Sequence, residues 1–482
     1  IVGRGLLNKS NILLGNALVD MYVKCRLLVK ARQVLEELPS RDVISWNALI
    51  TGYAHEGQDD EALGCFLKMQ SEGVSPDSVT FICIFKACGN ARDIEKGKQV
   101  HDEVVSRGLL KTDIVLSNAL VDMYVKCGRL AKAQEVLEEL PIRNVISWSS
   151  LIAGYAHQEE GQEALNCFEH MQSEGLSPNT VTFICTLKAC ATLGAIDKGM
   201  QIHDEILSRG LLQKDVLLGT ALVDMYAKCG ALAKAHEVLD ELPGRDVVSW
   251  NALIAGYTEH GHSEKVLSLI EKMQSYNISP DEITFIYGLS ACADLNMIVK
   301  GQELHAEIAK RGYQGDSSIF SYLINMYATC GLLAEAQNLF EKLPLHNDMS
   351  WNALIIGYAK QGHIDEAVHC FKSMEMDGFS PAAISWNVLL ECYTAQGKSE
   401  KALELYMRMQ NQGLWPDSVT FLCILKACSN MSYLEIGKRI HAQIPAISMN
   451  KSSITTTLID MYGKCGSMKD AQYVFDESPM VR

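Results

Sequence analysis

Four tryptophans, Trp46, Trp148, Trp250 and Trp351, stand 102, 102 and 101 residues apart, each inside a copy of one stretch. The first copy, residues 43–77, reads VISWNALITGYAHEGQDDEALGCFLKMQSEGVSPD; the others are 145–179, 247–281 and 348–382. A fixed internal period limits the fold more than any composition does. A unit this short cannot bury its own apolar face, so neighbours must stack and share one elongated core.

The rest of the chain divides on the same signal. Residues 1–11 resemble the end of a longer motif. Then motifs of 31, 35 and 36 residues follow in order: 12–42, 43–77 and 78–113. The cycle returns as 114–144, 145–179 and 180–215, then 216–246, 247–281 and 282–316, then 317–347 and 348–382. There the order breaks: a second 35-residue motif, 383–417, comes next, and 418–451 and 452–482 close the series. That makes 14 complete motifs with no low-complexity linker. The chain opens at Ile1 without Met and in mid-motif, so it reads as an excerpt, with any targeting segment outside it.

Each motif predicts two helices. In 43–77, Trp46, Leu49, Ile50 and Tyr53 recur at i, i+3, i+4 and i+7 on a first helix from about Ser45 to His55. Gly57 stops it, and a second helix from about Asp59 to Ser71 carries Ala62, Leu63, Phe66 and Met69 before Gly73 and Pro76. Short turns make the pair an antiparallel hairpin. The expected fold is all-α: a right-handed superhelical solenoid of 14 helix-turn-helix motifs, 28 helices in all. No apolar run approaches the roughly 20 residues that span a bilayer, so no membrane is expected. The 16 cysteines form no C-x-x-C and recur with the motif, as buried thiols of a reducing compartment do.

The 31/35/36 alternation departs from the steady 34 of tetratricopeptide arrays. With the residues ISWNALIxGYA, VTFIxxLKAC and ALVDMYxKCG, the chain resembles plant pentatricopeptide repeat proteins of the PLS subclass, with 31-residue S, 35-residue P and longer L motifs. The resemblance covers essentially the whole sequence. It implies binding of single-stranded organellar RNA, in mitochondrion or chloroplast, at one base per motif. It further implies a role in C-to-U editing, with editing-complex proteins or a deaminase acting in trans or following Arg482. No cofactor or metal is implied, and no enzyme lies within these residues.

In that family the fifth and last residues of a motif specify the base. Carried over residue by residue, Asn16 with Asp42, Asn47 with Asp77, Asn251 with Asp281 and Asn387 with Asp417 resemble uridine pairs. Thr220 with Asp246 resembles the guanosine pair, Ser149 with Asn179 and Ser321 with Asn347 adenosine pairs, and Asn118 with Asn144 a pyrimidine pair. Asn352 faces Ala382 and Thr456 faces Arg482, which leaves those two bases open. The L motifs carry Ile82, Ile184, Ile286 and Leu422 at position five, with no hydrogen bond to offer. The expected site is 5′-U-U-n-Y-A-n-G-U-n-A-n-U-n-n-3′. The chemistry of the last residue is consistent. Ionised Asp only accepts hydrogen bonds and suits the ring N–H of U and G, whereas Asn also donates and suits A and C.

Two further rows belong to the expected groove. The second residue of most motifs is aliphatic (Leu13, Ile44, Val79, Val115, Ile146) and would clamp a base, although plain packing at a helix start asks for the same residue type. Lys24, Lys126, Lys228 and Lys464 recur in MYxKC and would meet phosphates, or else sit in solvent. The net charge of −15 argues against nucleic acid unless acid and groove lie on different faces.

The triplets His101-Asp102-Glu103, His203-Asp204-Glu205 and His305-Ala306-Glu307 read H-x-E, half of a zinc deaminase signature. They recur once per L motif with no C-x-x-C, so they read as structural histidines. The rival function is a protein-binding helical-repeat scaffold. It gives no reason to restrict two positions per motif to Asn, Ser or Thr with Asp or Asn.

Overall fold

The computed structural model describes residues 12–111, 113–213, 215–313, 317–343, 345–444 and 452–476. Over these the chain is helical, with 28 α-helices and no strand among the described residues. The odd-numbered helices open the hairpins: α1 (Ile12–Lys24), α3 (Val43–His55), α5 (Ser78–Ala91), α7 (Ile114–Lys126), α9 (Val145–His157), α11 (Thr180–Leu193) and α13 (Val216–Lys228). They continue as α15 (Val247–Glu259), α17 (Glu282–Asp294), α19 (Ser317–Thr329), α21 (Asp348–Lys360), α23 (Ala383–Ala395), α25 (Ser418–Met431) and α27 (Ser452–Lys464). Between them lie the returning helices, such as α2 (Leu28–Glu37), α4 (Asp59–Ser71) and α6 (Ile94–Ser106).

The chain forms two compact units, one ending at Gly256 and the other starting at Tyr257. Within the first, α1, α3, α5, α7, α9, α11 and α13 pack successively on one another, and each returning helix packs on its own first helix and on the next. The second unit repeats this arrangement from α17 to α27. The result in each unit is a layer of first helices backed by returning helices, with the core between. Trp46, Leu49 and Ile50 of α3 and Phe81, Ile84 and Phe85 of α5 are completely or almost completely buried in it.

First helices begin two residues earlier than the apolar periodicity indicates. α3 starts at Val43, not near Ser45, because the Asp42 side chain accepts the Ser45 N–H at 2.9 Å and the Ser45 hydroxyl returns to the Asp42 backbone. That capping box satisfies orphan donors of the first turn. It recurs at Asp77, Asn144, Asn179, Asp281, Asn347 and Asp417. Ala382, ahead of α23, has no side-chain oxygen with which to cap.

First helices approach closely where glycine permits. A Cβ on Gly357 of α21 would fall 2.5 Å from Ala328 Cβ and 3.1 Å from its Cα, and Gly256 meets Ala227 in the same way. The cysteines are all free. Burial pushes the Cys88, Cys190 and Cys428 thiols up to about 12, leaving them inert. No helix of the described residues is long and apolar enough to cross a membrane.

Candidate nucleic-acid interface

Among the described residues, the last residue of each expected pair stands at the start of the next first helix, mostly as its side-chain N-cap. Folding therefore brings it back beside the fifth residue of the helix before. Asn16 Nδ2 donates to both carboxylate oxygens of Asp42, each at 3.1 Å. Asn47 Nδ2 donates to Asp77 at 2.9 Å, and Asn387 Nδ2 to Asp417 at 2.8 Å. Asn347 Nδ2 donates to Ser321 Oγ at 3.0 Å. Ser149 and Asn179 are joined through Thr182, whose Oγ1 lies 2.6 Å from Ser149 Oγ and donates to Asn179 Oδ1 at 2.9 Å.

Thr220, Asn118 and Asn352 make no such bond to their expected partners. Thr220 turns its hydroxyl to the Val216 carbonyl of its own helix at 3.0 Å, while Asp246 caps α15 through Ser249 N at 2.9 Å. Asn118 is half-buried and makes no hydrogen bond to Asn144, which caps α9. Asn352 accepts from the Ser385 hydroxyl, and Ala382 has no polar side chain to join it. Asn251 is buried on α15 in the first unit, and Asp281 caps α17 in the second. Thr456 lies on α27, while its expected partner Arg482 is outside the described residues.

The pairs of Asn16, Asn47 and Asn387 with aspartate are preorganised and ionised. Burial opposes the charge on Asp42, Asp77 and Asp417. The backbone N–H donors of Ser45, Thr80 and Thr420 and the Asn amides outweigh it, so each carboxyl is held below its ordinary value. Capping alone accounts for an Asp or Asn at the last place. It does not account for a polar fifth residue aimed at that cap.

The second-residue row is not packed into the core. Packing would bury these side chains, yet they are solvent-facing, from Leu13 at 78% exposed to Val419 at 38%. An opening of about 660 Å³ is lined by Ile44, Val79, Asn47, Asp77 and Lys24. Another of about 880 Å³ is lined by Ile146, Val181, Ser149, Asn179 and Lys126. Each therefore combines two apolar walls, one hydrogen-bonding pair and a cation. The lysines are neither free nor buried. Lys24, Lys126, Lys228 and Lys464 each pair with the aspartate four residues before, Asp20, Asp122, Asp224 and Asp460, at 2.8–3.0 Å.

The H-x-E histidines face the core. His101, His203 and His305 Nδ1 lie 2.9–3.0 Å from the hydroxyls of Tyr124, Tyr226 and Tyr327 of the following helix. Burial lowers their pKa, which favours the neutral ring. His441 repeats the contact with Tyr462 at 2.8 Å.

Thr80, Thr182 and Thr420 were not singled out in the sequence analysis. The D-x-x-T or N-x-x-T spacing across the cap could have marked them.

Comparison with known proteins agrees with this architecture. Profiles of the PPR repeat family match residues 41–90, 143–192, 245–294, 346–390 and 381–430, and PPR repeat profiles match six further stretches between residues 16 and 479. An Arabidopsis thaliana relative named pentatricopeptide repeat-containing protein At3g09040, mitochondrial, is 34% identical over 97% of this chain and 42% of its own length. Another, At4g18520, named chloroplastic, is 35% identical over 77% of this chain and 60% of its own. The chain thus spans about half the length of these two relatives. The putative pentatricopeptide repeat-containing protein At3g05240 is 31% identical over 99% of this chain and 81% of its own. Among solved structures, maize PPR10 superposes with a TM-score of 0.58 at 18% identity, covering 97% of this chain and 78% of that one. PPR10 in complex with an 18-nt psaJ RNA element gives 0.56 at 18% identity, over 96% and 73%. By repeat profile, by relatives along nearly its whole length and by fold, this chain belongs to the pentatricopeptide repeat family.

Proposed function

We propose that the chain binds single-stranded RNA in a plant organelle, one base per hairpin, as the recognition tract of an RNA-processing factor. The observation that carries this is the repeated trio in the openings: exposed aliphatic walls, a fifth-and-last residue pair already aligned, and a lysine. The walls suit the two faces of a base, the pair suits its Watson–Crick edge and the lysine its phosphate. The 18-nt RNA complex of PPR10, a structure of the same fold, supports the class of ligand. Relatives named mitochondrial and chloroplastic support an organellar site of action.

Within that function we assign the chain to the PLS subclass and to selection of C-to-U editing sites, the chemistry being supplied by a deaminase elsewhere. The motif lengths and the sequence resemblance support this finer reading. Fluorescence anisotropy with the 14-mer in single-stranded form and annealed to its complement tests the function. Tight binding of the single strand and weak binding of the duplex are expected, because duplex bases cannot enter the openings. Equal binding of both, or binding of neither, overturns the proposal and favours the protein scaffold.

A further inference from the structure

The amide of a fifth-residue Asn is chemically ambiguous: its oxygen and NH₂ ends are interchangeable in shape, and the surrounding hydrogen bonds decide which end faces where. At Asn47 those bonds are complete. Asp77 accepts from Nδ2 at 2.9 Å. Thr80 Oγ1 lies 2.6 Å from Asn47 Oδ1. The same hydroxyl accepts the Asp77 N–H at 3.2 Å and stands 3.0 Å from Asp77 Oδ1. A hydroxyl has one proton, and the ionised carboxylate offers none. If the amide flipped, Oδ1 would face that carboxylate with no proton between them. The proton of Thr80 therefore goes to Asn47 Oδ1, and the second Nδ2 hydrogen is the one donor that Asn47 has left to present. Asn387, Asp417 and Thr420 repeat the arrangement, with Thr420 Oγ1 at 2.6 Å from Asn387 Oδ1.

The first hairpin has the same Asn–Asp pair without this lock. There the third residue, Ser45, gives its proton to the Asp42 backbone carbonyl at 2.8 Å. Asn16 Oδ1 is buried with no hydrogen-bond partner. Identical pair residues thus sit in two different states, and the third residue of the next helix makes the difference.

We propose that Thr80 and Thr420 are specificity-positioning residues: each fixes the amide of the fifth residue so that it offers a donor, and so sharpens the choice of uracil over cytosine. Uracil presents a carbonyl oxygen beside a ring N–H, which complements an amide N–H beside a carboxylate. Cytosine presents a bare ring nitrogen and an amino group, which a flipped amide would tolerate better. The inference rests on the RNA-binding reading and on the pairing register, and adds a third residue to each pair.

The test uses the whole chain and fluorescence anisotropy with the 14-mer, carrying U or C at the second base or at the twelfth. For Thr80→Val, the preference for U over C at the second base should fall about fivefold, the worth of one hydrogen bond. The preference at the twelfth base should stay as in the wild type. Thr80→Ser should restore the second-base preference, and Thr420→Val should move the effect to the twelfth base. The wild type should also discriminate less at the first base, facing Asn16, than at the second. Wild-type discrimination left intact by Thr80→Val, or a loss of affinity equal for U and C, overturns the positioning role alone. A wild type that binds U and C alike at the second and twelfth bases overturns the pairing register and this proposal together.

Discussion

Ala382→Asp would install in one step what the hairpins of Asn47 and Asn387 already have. Ala382 precedes α23 in extended backbone, φ −70° and ψ 158°, with no side-chain cap. Ser385 stands in the same place as Ser45 and Thr80, and its N–H turns back to the Ala382 carbonyl at 3.0 Å. Its hydroxyl already donates to Asn352 Oδ1, so the Nδ2 end of Asn352 is the end left for a carboxylate. A new Asp would accept the Ser385 N–H, as Asp417 accepts Thr420 N at 2.8 Å. It would also accept Asn352 Nδ2, as Asp77 accepts Asn47. The cap contributes about 1 kcal/mol and the amide-to-carboxylate bond about as much again. Repeat arrays do not unfold as one two-state unit, so a global midpoint would blur the effect. Amide hydrogen exchange in the first turn of α23 resolves it: about 2 kcal/mol of local stability slows exchange by about 30-fold. In RNA binding, the eleventh base should change from indifferent to preferring U over C, by about tenfold if that contact is worth about 1.4 kcal/mol. Unchanged exchange would refute the capping argument. Slower exchange with no base preference would show that the last residue caps a helix and reads nothing.

Other outcomes follow from the packing and the titrating groups. Gly357→Ala should destabilise α19 and α21 by about 1–3 kcal/mol, seen as faster amide hydrogen exchange in those two helices, because the new Cβ meets the backbone of Ala328. Gly97→Ala should cost less in the same assay, since the Cβ there meets the flexible end of Met123. His101, His203 and His305 have pKa values lowered by burial, so an unfolded chain binds their protons first. Their contribution to stability should be complete above about pH 6.5 and fall as pH drops below it, and His203→Phe should flatten that slope, read from the local opening free energies that amide hydrogen exchange gives around His203. Burial and then the cap hydrogen bonds act in opposite directions on Asp42, Asp77 and Asp417, with the bonds prevailing, so their folded pKa values lie below the unfolded ones. Their stabilisation is therefore present above about pH 4 and lost as pH falls through the lower folded values. Preference for U should persist at pH 5, measured by anisotropy.

The hairpin array was legible because period and helix are tied to the same residues. Trp46, Leu49, Ile50 and Tyr53 announce one face at 3.6-residue spacing, and those side chains are the buried ones. The start of α3 was not legible from that spacing, because Val43 and Ile44 precede the apolar face and belong to the cap. Exposure of Ile44 and Val79 was not legible either: an aliphatic residue looks the same whether it packs or waits for a ligand. The fifth-and-last pairs could be named from family resemblance, and their physical proximity follows once the last residue is seen as the next N-cap. What no pattern displayed was the direction of each hydroxyl. Thr80 turns to Asn47 and Ser45 to its own cap, in pairs whose members stand 30 and 26 residues apart. The aspartates beside Lys24 and Lys126 stand four residues before them, a spacing visible in the sequence. They temper the groove's charge in a chain of net −15.

The central claim is that aligned pairs along the first helices read bases in order. The measurement that meets it most directly is fluorescence anisotropy of the chain with the predicted 14-mer at about 150 mM salt, where phosphate-driven binding is already weakened. The competitor is the same RNA with every paired U and A exchanged. A clear preference for the predicted strand is expected. Equal affinity for the two strands would contradict base reading while leaving RNA binding, and no affinity for either would contradict both.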